Sequence, residues 1–238
     1  MTKKAVYEDD SLRCVMGETL RPGGFSLTER AISFCNIREE DTRALDIGCG
    51  MGATVAYLQT EYNIEAFGID PSEKLIQLGK DSYGLNLTIG KGESLPYEDN
   101  YFDLVFTECT LSLMDDHKKA MEEVYRVLKP NGYYIVSDVY AKRVEYIEDL
   151  KETHVQSCLR NLFDLDILSM EIEDIGFKII ALEDWSFYLK QLMVDIIFKY
   201  GSMKEFWNIT SCGNCDDFRE KLGLCKPGYF LMLGQKEV

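Results

Sequence analysis

The stretch that decides the fold is residues 44–54, which read ALDIGCGMGAT. The apolar residues before the first glycine are typical of a buried strand, which we predict over 43–47. The glycines at 48, 50 and 52 allow a tight turn and let a ligand approach the backbone with no Cβ in the way. A helix predicted to start at residue 53 points its first N–H groups toward the same turn. The pattern predicts a ligand site where a strand turns into a helix.

Outward from this turn, strands and helices alternate along the chain. The predicted strands are 43–47, 64–69, 86–90, 102–107, 132–138, 177–183 and 228–235, and the predicted helices are 53–61, 72–82, 115–128, 144–160, 165–175 and 186–200. A further helix at about 27–36 is predicted from a capping box formed by Ser26 and Glu29. This alternation indicates an α/β fold with a parallel sheet covered on both faces.

Composition narrows the class of protein. The chain has 238 residues, of which 46% are hydrophobic, and this suits a single globular unit with a sizeable core. A formal net charge of −15 disfavours nucleic acid as a partner and docking on anionic membrane. No signal-peptide pattern and no apolar run long enough for a bilayer occurs, so we expect a cytoplasmic protein without a membrane partner. In that compartment the eight cysteines are expected as thiols. Nothing in the sequence indicates an oligomeric state.

Two carboxylates lie at the carboxyl ends of the first two predicted strands. Asp70 comes 24 residues after Asp46, in a position where a carboxylate can accept both hydroxyls of a ribose. Asp70 could also cap the next helix, with Pro71 as its first residue. The spacing from Gly48 to Ala53 satisfies the dinucleotide-binding pattern as well. Asp46, two residues before Gly48, disfavours a pyrophosphate and suits the ammonium group of a methionine moiety.

Three motifs in sequence carry a family resemblance. They are LDIGCGMG at 45–52, LPY at 95–97 followed by FDLV at 102–105, and RVLKPNG at 126–132. In this order and spacing they resemble the class I S-adenosylmethionine-dependent methyltransferases of the type-11 group, relatives of the ubiquinone and menaquinone biosynthesis methyltransferases. The resemblance, which covers about residues 40–140, implies a Rossmann-like three-layer sandwich. Its seven-stranded, mostly parallel sheet would have an antiparallel last strand, and its cofactor would be S-adenosylmethionine.

The resemblance also implies a set of cofactor-binding residues, which are Asp46, Gly48, Cys49, Gly50, Asp70, Pro71, Gly92, Glu93 and Thr107. In this interpretation Asp46 reaches the amino group of the methionine moiety, and Asp70 takes the ribose. Gly92 and Glu93 flank the adenine, and Thr107 begins the segment beneath the methyl donor.

One position departs from the family pattern. Lys91 stands where relatives usually place an aspartate for the adenine amino group, and a lysine cannot accept a hydrogen bond. Adenine recognition would then depend on the backbone of Gly92, on Glu93 or on a water molecule.

Catalytic and metal-binding residues are less clearly indicated. Direct methyl transfer requires no metal and no covalent enzyme intermediate. His154, in the stretch where relatives cover the active site, is the candidate general base. Cys212 and Cys215 form a CxxC pair, and Cys225 follows ten residues later. A soft-metal site, a redox pair and loop cysteines without a common role all remain open, although a structural zinc normally has four ligands.

The sequence therefore predicts a single methyltransferase domain over 1–238. An N-terminal helical lid would occupy 1–40 and a cofactor-binding core 41–140. Residues 141–238 would supply substrate-side helices, the last two strands and the cysteine-containing insert. The predicted function is methyl transfer to a small-molecule acceptor. The alternatives are a methyltransferase-like regulatory or scaffold protein that binds the nucleoside without turnover, and a dinucleotide-dependent oxidoreductase.

Overall fold

The computed structural model describes residues 19, 21–35, 37, 41–153, 155, 157–210 and 216–237. The strands are β1 (Arg43–Ile47), β2 (Glu65–Asp70), β3 (Leu87–Ile89), β4 (Phe102–Glu108), β5 (Leu128–Ala141), β6 (Phe177–Asp184) and β7 (Pro227–Lys236). The helices are α1 (Ser26–Ile32), α2 (Ala53–Tyr62), α3 (Glu73–Tyr83), α4 (His117–Val127), α5 (Ile147–Lys151), α6 (Leu165–Ile175), α7 (Ser186–Tyr200), α8 (Met203–Thr210) and α9 (Asp216–Cys225). Within these ranges no helix is long and apolar enough to cross a membrane.

All seven strands form one sheet in the order β3-β2-β1-β4-β5-β7-β6. β1 pairs in parallel with both β2 and β4, and β7 runs antiparallel to both β5 and β6. The predicted α/β fold with an antiparallel last strand is confirmed. The chain proceeds from β1 to one side of the sheet and returns to β4 on the other side. A crevice opens outside the carboxyl ends of the strands at such a switch point, and ligands bind there in open α/β sheets.

The core lies on both faces of the sheet, because successive residues of a strand point to opposite faces. In β7, Leu231 and Leu233 join the cluster on one face, whereas Phe230 and Met232 join the cluster on the other. All four side chains are completely buried. Strands covered on both sides read as continuous apolar runs, which explains why the sequence of β7 predicts a strand so clearly.

The predicted capping box is wrong. α1 begins at Ser26 itself, Phe25 occupies the N-cap position, and no side chain caps the helix. The Phe25 ring stacks on Tyr57 of α2 with centroids 4.0 Å apart. This tertiary contact places the start of α1 one residue earlier than the local capping pattern predicts.

The single helix predicted over 144–160 is also wrong. Among the residues of this stretch that the structure describes, only Ile147–Lys151 is α-helical, and short 3-10 turns lie at Val144–Tyr146 and Cys158–Arg160. The side-chain Nε of Arg160 donates to the carbonyl of Lys151 at 3.1 Å, so the chain folds back on the end of α5. Tertiary hydrogen bonds thus replace the helical hydrogen bonds that the pattern predicts.

Candidate functional site

A cavity of about 310 Å³ lies at the carboxyl ends of β1, β2 and β4, at the switch point of the sheet. Eight of the nine predicted cofactor-binding residues line it, namely Asp46, Gly48, Cys49, Gly50, Asp70, Pro71, Gly92 and Glu93. Thr107 does not line it. Its side chain is fully buried within the sheet, and its hydroxyl lies 2.9 Å from that of Tyr134. The fold therefore brings residues from three separate strand ends to one chamber.

The glycine turn has the backbone geometry that its sequence predicts. Gly48, Gly50 and Gly52 have φ angles of 77°, 55° and 85°, in the left-handed region that favours glycine. A Cβ on Gly48 would lie 2.4 Å from the Thr110 side chain, so this position also requires a close approach of two loops. A Cβ on Gly50 would come no closer than 4.0 Å to protein, at Leu75. Gly50 therefore faces open space in the cavity.

Asp70 holds the glycine turn in place. One carboxylate oxygen accepts from the backbone N–H of Gly50 at 2.9 Å, and the other accepts from the N–H of Ser72 at 2.8 Å. The N-cap of α3 is Ser72, whose hydroxyl accepts from the N–H of Leu75. Asp70 is therefore not the cap considered from sequence. The Asp70 carboxylate thus lies on the cavity wall, fixed between the glycine turn and the start of α3.

Asp46 is the most unusual group on the cavity wall. It is 4% exposed, and no residue that the structure describes donates a hydrogen bond to its carboxylate. Burial raises the pKa of Asp46 to about 8, the Glu108 and Asp70 carboxylates add to this rise, and the Arg21 guanidinium opposes it. A buried carboxylate without a donor is costly. A ligand cation placed beside it would relieve that cost.

A buried ion pair beside Asp46 was not anticipated from the sequence. Arg21, which precedes α1, contacts Glu108 at the end of β4 with nitrogen and oxygen 2.8 Å apart, and the two side chains are 4% and 1% exposed. Thr28 accepts from Arg21 at 2.7 Å and donates to Glu108 at 2.8 Å. Glu108 is the last residue of β4, as Asp70 is of β2, and Asp46 is one residue from the end of β1. This shared position of an acidic residue at a strand end is the signal in the sequence that could have identified Glu108.

Two loops meet at the outer rim of the cavity. Lys91 forms an ion pair of 2.8 Å with Asp115, and both side chains are largely exposed. The Glu93 carboxylate accepts from the backbone N–H of Asp115 at 3.0 Å. A Cβ on Gly92 would lie 3.0 Å from Met114, so the loops pack closely here. The unexpected Lys91 thus joins the two loops across the rim.

The remaining candidates lie away from this chamber or outside the described residues. His154, Cys212 and Cys215 fall on residues that the structure does not describe. Cys225, at the end of α9, is fully buried and does not line the cavity. Three helices, α7 to α9, occupy the connection in which the CxxC pair lies. Among the residues that are described, no group of three or more histidine, cysteine or acidic side chains is arranged to hold a metal ion.

Comparison with known proteins finds similarity to methyltransferases. A family model for a methyltransferase domain, of the type-11 group, matches residues 45–136. A glycine/sarcosine/dimethylglycine N-methyltransferase of Actinopolyspora halophila is 32% identical over 63% of this chain and 28% of its own length. A phosphoethanolamine N-methyltransferase of Plasmodium falciparum is 24% identical over 86% of this chain and 81% of its own. The chain thus spans little more than a quarter of the first of these relatives.

A solved structure supports the same fold. Phosphoethanolamine N-methyltransferase 2 of Haemonchus contortus, in complex with S-adenosyl-L-methionine, superposes with a TM-score of 0.71 at 17% identity. The superposition covers 96% of this chain and 56% of the other. The matched segment 45–136 runs from β1 into β5 and contains the glycine turn, Asp46 and Asp70. Residues 45–136 therefore carry a methyltransferase domain of the type-11 group, and the sheet order agrees with the fold of the solved methyltransferase.

Proposed function

We propose that this protein binds S-adenosylmethionine in the cavity and transfers the methyl group to a small-molecule acceptor by direct in-line displacement. The observation that carries the proposal is the Asp46 carboxylate, which faces the cavity, is 4% exposed and accepts no hydrogen bond from the described residues. An ammonium group would be stabilised there, whereas a pyrophosphate would be repelled. This favours a methionine moiety over a dinucleotide in the space beside Gly48 and Gly50.

The other residues of the cavity fit the remaining parts of the cofactor. Asp70 lies at the end of β2 on the cavity wall, where a carboxylate can accept from the two ribose hydroxyls. The open space over Gly50 accommodates a ligand in contact with the backbone. Gly92 and Met114, from the two loops of the rim, offer a narrow apolar place for the adenine ring.

In the proposed mechanism the protein contributes position, charge and exclusion of water. The cofactor, when bound, supplies a sulfonium whose methyl group is transferred while the bonding electrons remain on sulfur. Even while Asp46 keeps its proton, the cavity lining has more carboxylates than basic side chains, with Asp70, Glu93, Glu108 and Asp115 against Arg21 and Lys91. The resulting negative potential favours a cationic ligand. The buried walls exclude water from the reacting atoms. Holding an acceptor in line at near-attack distance then accounts for much of the rate enhancement.

The names of the relatives support an amine as the acceptor. Both curated relatives described above are named as N-methyltransferases of small amines. A neutral amine presents a lone pair and needs little help from a general base, whereas a hydroxyl or a carbon acid requires removal of a proton. Small amines are therefore the first acceptors to test.

The test begins with cofactor binding. S-adenosylmethionine and S-adenosylhomocysteine should raise the melting temperature, because both bind the native state, and NAD and NADP should not. Glycine, sarcosine, phosphoethanolamine and other small amines are then supplied, and formation of S-adenosylhomocysteine is measured. Stabilisation by NAD alone would contradict the proposal and favour an oxidoreductase. Binding without turnover across a broad panel of amines, thiols, phenols and acids would favour a regulatory protein.

A further inference from the structure

Two cysteines meet beside the cavity, and the proposed reaction uses neither of them. Cys109 directly follows β4 and lines the cavity. Cys158 begins the 3-10 turn Cys158–Arg160 and is half-buried. Their sulfur atoms lie 3.9 Å apart although 49 positions separate them in the chain.

Cys109 is the fixed partner of this pair. Its φ angle is 60°, in the left-handed region that a residue with a Cβ rarely adopts. Its backbone N–H donates to the carbonyl of Ser137 at 2.6 Å. The next residue, Thr110, donates its hydroxyl to the carbonyl of Ile47 at 2.9 Å. Hydrogen bonds to two neighbouring strands therefore hold the Cys109 side chain in place.

Cys158 lies in a short 3-10 turn at the edge of the core, where it packs against the buried cluster. The turn is followed by Asn161, whose side-chain amide donates to the carbonyl of Ser112 at 2.8 Å. Ser112 in turn is held by two hydrogen bonds to Asp138, at 2.9 and 2.8 Å. A short turn resting on a loop can shift more easily than the end of a central strand.

We propose that Cys109 and Cys158 form a reversible intramolecular disulfide, which ties segment 157–161 to the carboxyl end of β4. A disulfide has a sulfur–sulfur distance of about 2.05 Å, so the two atoms must approach by about 2 Å. Rotation about the side-chain bonds of Cys158 and a small shift of its turn can supply this movement. The proposal does not depend on the identity of the cofactor or of the acceptor.

The oxidant is a low-molecular-weight disulfide such as oxidised glutathione. The Cys158 sulfur, which is the more accessible, attacks it, forms a mixed disulfide and releases one glutathione thiol. The Cys109 sulfur then attacks the Cys158 sulfur, loses its proton to solvent and releases the second glutathione. Two protein thiols are oxidised and one glutathione disulfide is reduced to two thiols. The neighbouring thiol and burial raise the pKa of Cys109 well above its usual value, which makes Cys109 a poor first attacker.

The bond would change the wall of the cavity. Segment 157–161 rests on the loop that contains Ser112, and the next residues of that loop, Leu113 and Met114, line the cavity. A covalent link to Cys109 would restrict the movement of this wall relative to β4. The oxidation state of the pair would therefore set how freely the chamber opens on this side.

The experiment uses the full chain with Cys14, Cys212 and Cys215 replaced by serine, so that their thiols cannot compete. The protein is incubated with oxidised glutathione, digested without reductant and analysed by mass spectrometry. We expect one peptide pair joined through Cys109 and Cys158, and a melting temperature higher by roughly 5–10 °C. Dithiothreitol should reverse both changes.

The matched variants are Cys158→Ser, which should abolish the joined peptide and the rise in melting temperature, and Cys35→Ser, which should preserve both. Cys35 is also half-buried, and it follows α1, where its thiol donates to the carbonyl of Ala31 at 3.3 Å. Glutathione that remains attached to Cys158 would overturn the proposal. So would a joined peptide without thermal stabilisation, because the bond would then not fit the native fold.

Discussion

At the scale of single residues, the cavity depends on side chains that hold the protein together and also line the proposed cofactor site. Asp70 is the clearest case, because it fixes the glycine turn through Gly50 and the start of α3 through Ser72. A substitution there should therefore affect folding and binding separately, and the two effects can be measured independently.

Replacing Asp70 with alanine should weaken binding of S-adenosylmethionine by about 1.5–3 kcal/mol, because the ribose hydroxyls lose a charged acceptor. The free energy of unfolding should fall by about 1–3 kcal/mol, because the N–H groups of Gly50 and Ser72 lose their partner. Calorimetric titration and urea unfolding measure the two effects. Asp81→Ala, on the exposed face of α3, is the matched control and should change neither. Unchanged affinity in Asp70→Ala would show that the ribose is held elsewhere.

Gly50→Ala should reduce cofactor affinity at least tenfold, because the new methyl group would enter the space over the glycine turn. The left-handed backbone at this position adds a cost of about 1 kcal/mol to folding. Gly84→Ala, at the end of α3, is the control for that strain. Its φ angle is 65°, and no atom lies within 4 Å of the new Cβ. Equal affinities in the two variants would mean that the ligand does not approach Gly50.

Asp46 should make cofactor binding depend on pH. In the empty protein its pKa is raised from the ordinary value of 3.8 to about 8. Between pH 3.8 and about pH 8 the folded chain therefore keeps this proton, whereas the unfolded chain has lost it. The contribution of Asp46 to the free energy of unfolding falls as the pH rises through this range. A bound ammonium group lowers the pKa again, so binding at pH 7 should release close to one proton.

The measurement is titration calorimetry at pH 7 in phosphate and in Tris, which differ in ionisation enthalpy. The proton that wild-type protein releases on binding is taken up by the buffer. The observed heat of binding should therefore differ between phosphate and Tris by the difference in their heats of protonation. Asp46→Asn should bind more weakly and give heats that are the same in both. Buffer-independent heat in the wild type would contradict the assignment of the ammonium group to Asp46.

At the scale of elements, the buried pair of Arg21 and Glu108 joins the segment before α1 to the end of β4. Arg21→Met should lower the free energy of unfolding by about 3–5 kcal/mol, because Glu108 is left buried without its partner. The double variant Arg21→Met, Glu108→Gln should be more stable than Arg21→Met alone. Urea unfolding of the single and double variants tests this. An additive loss in the double variant would mean that the two side chains are not coupled.

A helix or strand could be predicted from the sequence where its own residues and the adjacent turn residues mark its bounds. Predicted strands 43–47 and 102–107 lie within one residue of β1 and β4, because buried runs and turn residues mark them directly. The helix over 144–160 was mispredicted because side-chain hydrogen bonds such as that of Arg160 to Lys151 redirect the chain. No local pattern contains that information.

The same distinction applies to the site. Asp46 and Asp70 lie next to the glycine turn or at the following strand end, so the motif predicts both as site residues, and both line the cavity. Arg21 reaches the cavity only because α1 packs over the sheet, and its partner Glu108 is 87 positions away. Thr107 does not line the cavity, because strand alternation directs its side chain into the core, and the neighbouring Glu108 lines the cavity instead.

At the scale of the whole molecule, β7 is the strand that completes the sheet. It pairs with β5 over nine residues and also separates β5 from β6. The Lys236 ammonium, at its end, donates to the carbonyls of Tyr125 and Leu128, at 2.8 and 2.7 Å, where α4 ends. A cation is favourable at a helix carboxyl end, so β7 also secures α4.

Deleting residues 227–238 should therefore abolish cooperative unfolding, because β6 and both core clusters lose their shared strand. Deleting only residues 237–238 should leave the urea transition unchanged within error. Circular dichroism in urea compares the two truncated proteins with the full chain. A cooperative transition after removal of β7 would show that the remaining six strands form a stable sheet without it.

The central place of β7 has a consequence for protein synthesis. The ribosome makes β1 to β6 before β7, yet β7 lies between two strands that emerged earlier. Until β7 leaves the exit tunnel, β5 and β6 each present an unpaired edge, and such edges promote association with other chains. Mutations or slow codons that delay the last strand should therefore act on yield in the cell through nascent-chain aggregation, even where they leave the stability of the finished protein unchanged.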